Sequence, residues 1–291
     1  MLNLLKLQWQ RSRAVTLTAV ATVMLNSVIY VGCANFNLFS KSQDVELAQQ
    51  IQAEILRNPQ DYPILNNPQI ENYVQGIVNT ILTSPNIKNK DFNYDVTIIN
   101  DDATVNAFSI PGGPMYVYTG LLRFVENEAT LAGIMAHEIT HADERHATER
   151  LSEVYGLQML ASIALGQNPG MLAELLAGLA GNLAILKFSR DDEREADREG
   201  FEDLATIPGR PWHPAAIRYF MIKSLNQQKS QPSKFENLFL THPPSQERLE
   251  NVDQLARTAG FGEPTESTLR STEYNRMKSM LGAAVQSGTG R

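Results

Sequence analysis

His137-Glu138-Ile139-Thr140-His141 puts two imidazoles four residues apart with a carboxylate beside the first. An α-helix turns once every ~3.6 residues, so positions four apart share one face. Two neutral rings placed this way can close on one metal ion. Glu138, one step round, reaches the open side of that ion, where a water would bind. The chemistry this permits is metal-assisted hydrolysis, with Glu138 as general base. The chain has only five His in 291 residues.

Two imidazoles leave a zinc ion one protein ligand short of a catalytic set. The lone cysteine, Cys33, lies near the N-terminus, so His, Asp or Glu must supply the third. On a continuous helix His146 lies roughly 140° round from His141 and faces elsewhere; it reads as a capping or packing residue. The tenth position after His137, where metzincins carry a His, is Ala147. Glu144 shares the histidines' face but sits one turn too far along. The run Ser189-Arg190-Asp191-Asp192-Glu193-Arg194-Glu195-Ala196-Asp197 offers Glu193 and Asp197 on one helical face. Glu193 could complete the set, and Asp197 could accept the free N–H of a ligand ring. Asp192, Arg194, Glu195 and Arg198 read as a solvated face.

The elements around these residues are legible from pattern. Asn127 caps a helix with Glu128 in its first turn, which puts His137 and His141 mid-helix, where the backbone is stiff. Upstream, apolar spacing predicts a helix from Asp44 to Arg57, ended by Asn58-Pro59. Asn67 and Pro68 start a second, running through Ile81. Alternation over Phe92, Tyr94, Val96 and Ile98 predicts a strand. Residues 106–113 and 114–120 read as two short strands joined at Pro111-Gly112-Gly113. One reading makes this hairpin ordinary core. The other makes it an edge strand that pairs with an extended peptide, with Asn106, Gly112, Gly113, Tyr116 and Tyr118 as substrate contacts.

Downstream, Leu157–Leu165 and Met171–Phe188 are apolar. They read as a buried helix pair, with a substrate lid as the other possibility. Pro208-Gly209-Arg210-Pro211 breaks the chain, His213 reads as structural, and Pro214 starts another helix. Disorder is expected from Ser279 to Arg291.

Composition is ordinary globular: 43% hydrophobic, 20% charged, formal charge -7. With no basic run, no nucleic-acid partner is expected. Lys6, Arg11 and Arg13 precede an apolar run, Ala14–Val31, closed by Gly32-Cys33. This is the pattern of a secretory signal, and Cys after Gly resembles a lipobox with Cys33 lipidated, although Tyr30 stands where Leu is usual. An uncleaved anchor or a plain signal is the alternative. The expected organisation is residues 1–33 as signal or lipid anchor, 34–278 as the catalytic domain, and 279–291 as the tail.

His137 to His146 and Ser189 to Asp197 together resemble the HtpX and CAAX-prenyl-protease family of gluzincins, peptidase family M48. Asn106-Ala107-Phe108, Pro111-Gly112-Gly113 before Gly120-Leu121-Leu122, and Thr241-His242-Pro243 with Arg248 add to the resemblance. It covers about residues 40 to 255 and is closer to the short periplasmic lipoprotein members than to the multi-span ones. It implies an α+β zincin-like fold, mainly helical, with a small sheet beside the His-Glu-x-x-His helix. It also implies one Zn2+ per chain on His137, His141 and Glu193, with Glu138 as base. The implied function is an endopeptidase in the bacterial envelope, on the periplasmic side, held to the membrane by an N-terminal lipid or anchor and acting on unfolded or misassembled polypeptides. The alternative is a peptide-binding chaperone or outer-membrane assembly factor with little proteolysis. The resemblance also places His242 near the metal, as an oxyanion donor, a fourth ligand that holds the enzyme off, or a helix-capping residue.

Overall fold

The sheet has three strands in the order β1-β3-β2. β1 (Val96–Ile99) runs parallel to β3 (Met115–Tyr118), and β2 (Ala107–Ser109) runs antiparallel to β3, with Ser109 opposite Met115. β2 and β3 are the expected hairpin. Its turn needs Gly112 and Gly113 at φ 79° and 108°, a region that side chains disfavour. A computed structural model of the chain describes residues 37–154, 187–227 and 230–288. The chain divides into Met1–Asn37 and Leu38–Arg291, and every element named lies in the second unit. Cys33, the apolar run before it and nearly all of the 157–188 segment fall outside the described residues.

Strand side chains alternate between faces, and this builds two cores. Val96, Ile98, Ala107, Met115 and Val117 face a large core against α2 (Pro68–Ile81) and α4 (Glu128–Asp143). Ile99, Phe108, Tyr116 and Tyr118 face a smaller one against Leu47, Ile51 and Ile55 of α1 (Lys41–Arg57). α1 starts earlier than its apolar spacing predicts because Ser40 and Gln43 form a capping box. Asn67 caps α2 with Pro68 at its first position, as expected. The predicted strand over Phe92–Ile98 is cut short: Gln75 of α2 takes the backbone partners at its start. Its side chain donates to Tyr94 O (3.1 Å) and accepts from Val96 N (2.8 Å).

After β3 come α3 (Thr119–Phe124) and then α4, capped by Asn127. α5 (Arg190–Thr206) lies against α4, and Ser189 and Asp192 form its capping box. The two helices meet closely at Gly200, where a Cβ would come 3.1 Å from His137 N. α6 (Ile217–Gln227), α7 (Glu236–Thr241), α8 (Gln246–Thr258), α9 (Glu266–Leu269) and α10 (Ser271–Gly288) follow. His213 is structural, with Nε2 2.9 Å from Gly262 O. The disorder expected from Ser279 does not begin there. Tyr274, Met277 and Leu281 form a buried stripe on α10, and the Tyr274 hydroxyl donates to Leu122 O at 2.7 Å. No helix of the described residues is long and apolar enough to cross a membrane. The architecture is mainly helical with one small sheet.

Candidate metal centre

Every residue of α4 is buried, so its two histidines project into a sealed space between elements. His137 Nε2 and His141 Nε2 stand 3.1 Å apart. Glu193, in the first turn of α5, brings Oε1 to 3.5 Å from His141 Nε2 and Oε2 to 3.6 Å from His137 Nε2. His242, at the end of α7, enters from the far side. Its Nδ1 lies 2.8 Å from Glu193 Oε1 and 3.4 Å from His137 Nε2. One ligand atom from each of these four residues lies within 4.8 Å of the others.

The donor set fits a divalent cation. Ligand atoms around a tetrahedral ion with bonds of ~2.0–2.1 Å sit roughly 3.3 Å apart, close to the spacings here. His137 Nδ1 faces Asp197 Oδ1 at 3.0 Å. A carboxylate only accepts, so the proton belongs on Nδ1 and Nε2 keeps its lone pair for a metal. Burial raises the Glu193 carboxyl, but the charges of His242 and Arg248 outweigh it and hold the group well below the ordinary carboxylate range. It is therefore ionised, as a ligand must be.

Arg248 of α8 ties this arrangement together. It holds both oxygens of Asp197 at 2.7 Å each and pairs with Glu193 Oε2. Burial lifts the Asp197 carboxyl, and Arg248 more than offsets this, so Asp197 too is held below its usual value. Two buried carboxylates and one buried guanidinium thus form a closed network.

Glu138 lies between His242 and the edge strand. Its Oε1 is 3.5 Å from His242 Nε2, and Ser109 N donates to its Oε2 at 3.1 Å. The Ser109 hydroxyl donates to Glu138 O at 2.9 Å, fixing β2 against α4. Burial raises the Glu138 carboxyl against the opposing pull of His242 and His137.

The structure therefore gathers His137, Glu138, His141, Glu193, Asp197 and His242 at one place. It does not gather the hairpin residues. β3 is the central strand, so Tyr116 and Tyr118 face α1, and Tyr116 stacks on Phe108 with centroids 4.9 Å apart. Gly112 and Gly113 pack tightly on the backbone of Asp44–Val45 and Asn93. Asn106 is fully buried, its backbone carbonyl accepting from Tyr118 N. β2 is the strand beside α4, and only its last residue, Ser109, reaches the site.

Sequence reasoning also missed His146 and Phe188. The expectation that His146 faces away assumes a continuous helix. The chain instead turns at Glu144–Arg145, with Arg145 at φ 65°, and helix resumes from 146. His146 Nδ1 then lies 2.9 Å from His141 Nδ1. Burial depresses the basicity of both rings and so favours their neutral forms. Phe188 stacks on His141 with centroids 3.9 Å apart. Its position directly before the Ser189 cap was the available signal.

The chain is similar to several known proteins. The family described as Peptidase family M48 matches residues 68–256. A beta-barrel assembly-enhancing protease of Yersinia pestis is 30% identical over 201 residues, 65% of this chain and 40% of that protein. The mitochondrial metalloendopeptidase OMA1 of Schizosaccharomyces pombe is 27% identical over 231 residues, 77% of this chain and 65% of that one. A protease HtpX homolog of Burkholderia cenocepacia is 31% identical over 204 residues, 57% of this chain and 69% of that one. The chain spans two-fifths of the length of the assembly-enhancing protease it matches.

Proposed function

This chain belongs to peptidase family M48, a family of metallopeptidases, and from that premise we propose that it is a zinc-dependent endopeptidase hydrolysing unfolded or misassembled polypeptides of the cell envelope. The observation that carries this reading is the convergence of four buried donors, His137, His141, Glu193 and His242, beside Glu138.

In this reading His137, His141 and Glu193 hold the ion. A zinc ion bound there would polarise the scissile carbonyl and acidify a water. Glu138 would act as the general base, accepting a proton from the attacking water and returning it to the leaving amine. Its surroundings suit a general base, since burial raises its proton affinity above the ordinary carboxylate value while Ser109 N steadies one oxygen. Asp197 fixes the orientation of His137, and Arg248 fixes Asp197.

The second reading, a polypeptide-binding assembly factor that cleaves rarely, is favoured by one observation. His242 sits inside the donor cluster, where it would occupy the place of the water. Envelope location and attachment through Cys33 remain part of the proposal. Their support is the Gly32-Cys33 pattern and the bacterial relative's name. Loss of membrane association in Cys33→Ala checks them.

Cleavage of unfolded casein tests the catalytic reading. Wild type should cleave it, stop on addition of a chelator and recover with zinc. Glu138→Gln should keep about one zinc per chain and lose 10²-fold or more in rate, because an amide cannot accept the proton. Full activity of Glu138→Gln at unchanged metal content would remove Glu138 from the mechanism. A wild-type chain that binds casein without cutting it favours the assembly factor.

A further inference from the structure

His146 stands outside the donor cluster but touches it. It is 1% exposed, and its two ring nitrogens face different partners. Nδ1 lies 2.9 Å from His141 Nδ1, and Nε2 lies 3.3 Å from Glu195 Oε2. A neutral imidazole carries a single N–H and a single lone pair. The carboxylate of Glu195 has no proton to give, so the N–H of His146 belongs on Nε2. Its Nδ1 is then an acceptor, and the proton between the two Nδ1 atoms must come from His141. That leaves His141 Nε2 with a lone pair, aimed at His137 Nε2 3.1 Å away.

We infer that His146 is a positioning residue that sets the tautomer of His141, relaying the negative charge of Glu195 to that metal ligand through its own imidazole. This rests on the reading of His141 as a zinc ligand. The two ligand rings then receive the same treatment by different means. His137 Nδ1 faces the Asp197 carboxylate directly at 3.0 Å. His141 donates Nδ1–H to His146, which donates in turn to Glu195. Each ring is left with Nε2 for the ion, and each is made a better donor by the charge behind it.

The placement is built rather than incidental. Bringing His146 back to His141 requires the turn at Arg145, whose φ of 65° lies in a region that non-glycine residues rarely adopt. The Arg145 side chain is held in that turn by the carboxylate of Asp44 and the carbonyl of Phe39. Phe188 covers the pair, stacked on His141 and 6.2 Å from the His146 ring. Burial keeps water from replacing His146 as the acceptor. Glu195 is steadied by Arg198 at 3.3 Å.

Nitrogen-15 histidine spectra of the zinc-loaded full-length chain read the tautomers directly. His141 should be protonated at Nδ1, and His146 at Nε2 with a bare Nδ1. A proton on His146 Nδ1 overturns the inference, and this result does not depend on any variant folding. His146→Phe keeps the ring volume but offers no acceptor, and should bind zinc about 10- to 100-fold more weakly. His146→Asn places a carbonyl oxygen near the lost Nδ1 and should recover affinity to within about threefold of wild type. The metal-free forms of both should melt within roughly 3 °C of wild type. Undiminished affinity in the Phe variant, or equal loss in both, reduces His146 to packing. A wild-type chain that takes up no zinc overturns the metal-site reading itself, which the stoichiometry reports separately.

Discussion

At the scale of single residues, the position of His242 bears on the three roles that its sequence context left open. It is 5% exposed, and its Nδ1 is 2.8 Å from Glu193 Oε1, inside the ligand cluster rather than above it. Burial lowers its basicity, but Glu193 and Glu138 outweigh this and raise it, so the ring is strongly drawn to the carboxylates it faces. Once deprotonated, a ring in that position would compete with a water for a bound ion. His242→Ala is therefore expected to raise basal cleavage of casein several-fold and to produce self-cleavage, with zinc content unchanged. A fall of about 10²-fold with zinc retained would assign it instead to oxyanion stabilisation. Rates equal to wild type would leave only a structural role.

At the scale of elements, the site depends on how α4, α5 and α8 are locked together. Arg248 of α8 is the lock, since its guanidinium forks onto Asp197 and also meets Glu193, both on α5. Arg248→Ala strands two buried carboxylates, and loss of one partner from such a pair costs about 3–5 kcal/mol. The melting temperature should fall by roughly 10 °C, with weaker zinc binding. Arg248→Lys should recover only part, because an ammonium cannot fork. An unchanged melting temperature in the Ala variant would show that the network contributes nothing to the helix docking. Near the far end of α5, Asp203 accepts from Ser84 Oγ at 2.7 Å. Burial pushes its carboxyl up to about 7, with Asp143, Glu199 and Glu202 adding to the rise against the Ser84 hydroxyl. The folded chain thus keeps a proton that the unfolded chain releases above its ordinary value near 3.8. This stability is complete below that value and lost as pH rises through about 7. Asp203→Asn should flatten the fall in melting temperature between pH 4 and 8, gaining roughly 5 °C at pH 8. A slope identical to wild type would remove Asp203 as its source.

At the scale of the whole molecule, the centre draws on four separate stretches of chain: α4, the start of α5, the end of α7 and the start of α8. A cation at their meeting point therefore stabilises the fold as well as the reaction. At a thousandfold excess over its dissociation constant it adds about 4 kcal/mol. Chelation should lower the melting temperature by roughly 10 °C, and zinc should restore it. No shift with chelator, in a chain shown to carry the metal, would mean that the elements meet without its help. What the sequence determined by itself was everything carried by local spacing. Residues four apart on a helix must share a face, so His137 with His141 and Glu193 with Asp197 were legible. So were the caps at Asn67 and Asn127, whose side chains bond amides two or three residues on. What only the tertiary structure decided were contacts made across long separations. Gln75 of α2 cuts the first strand short. Ser109 reaches Glu138 because β2 packs on α4. The order β1-β3-β2 makes β3 a central strand, and alternation along it packs Tyr116 and Tyr118 against α1. His146 escaped detection because Asp44, 101 residues earlier, holds the turn at Arg145 that brings it back. Spacing fixes a residue's direction only while the helix continues, and a distant partner determines where it ends.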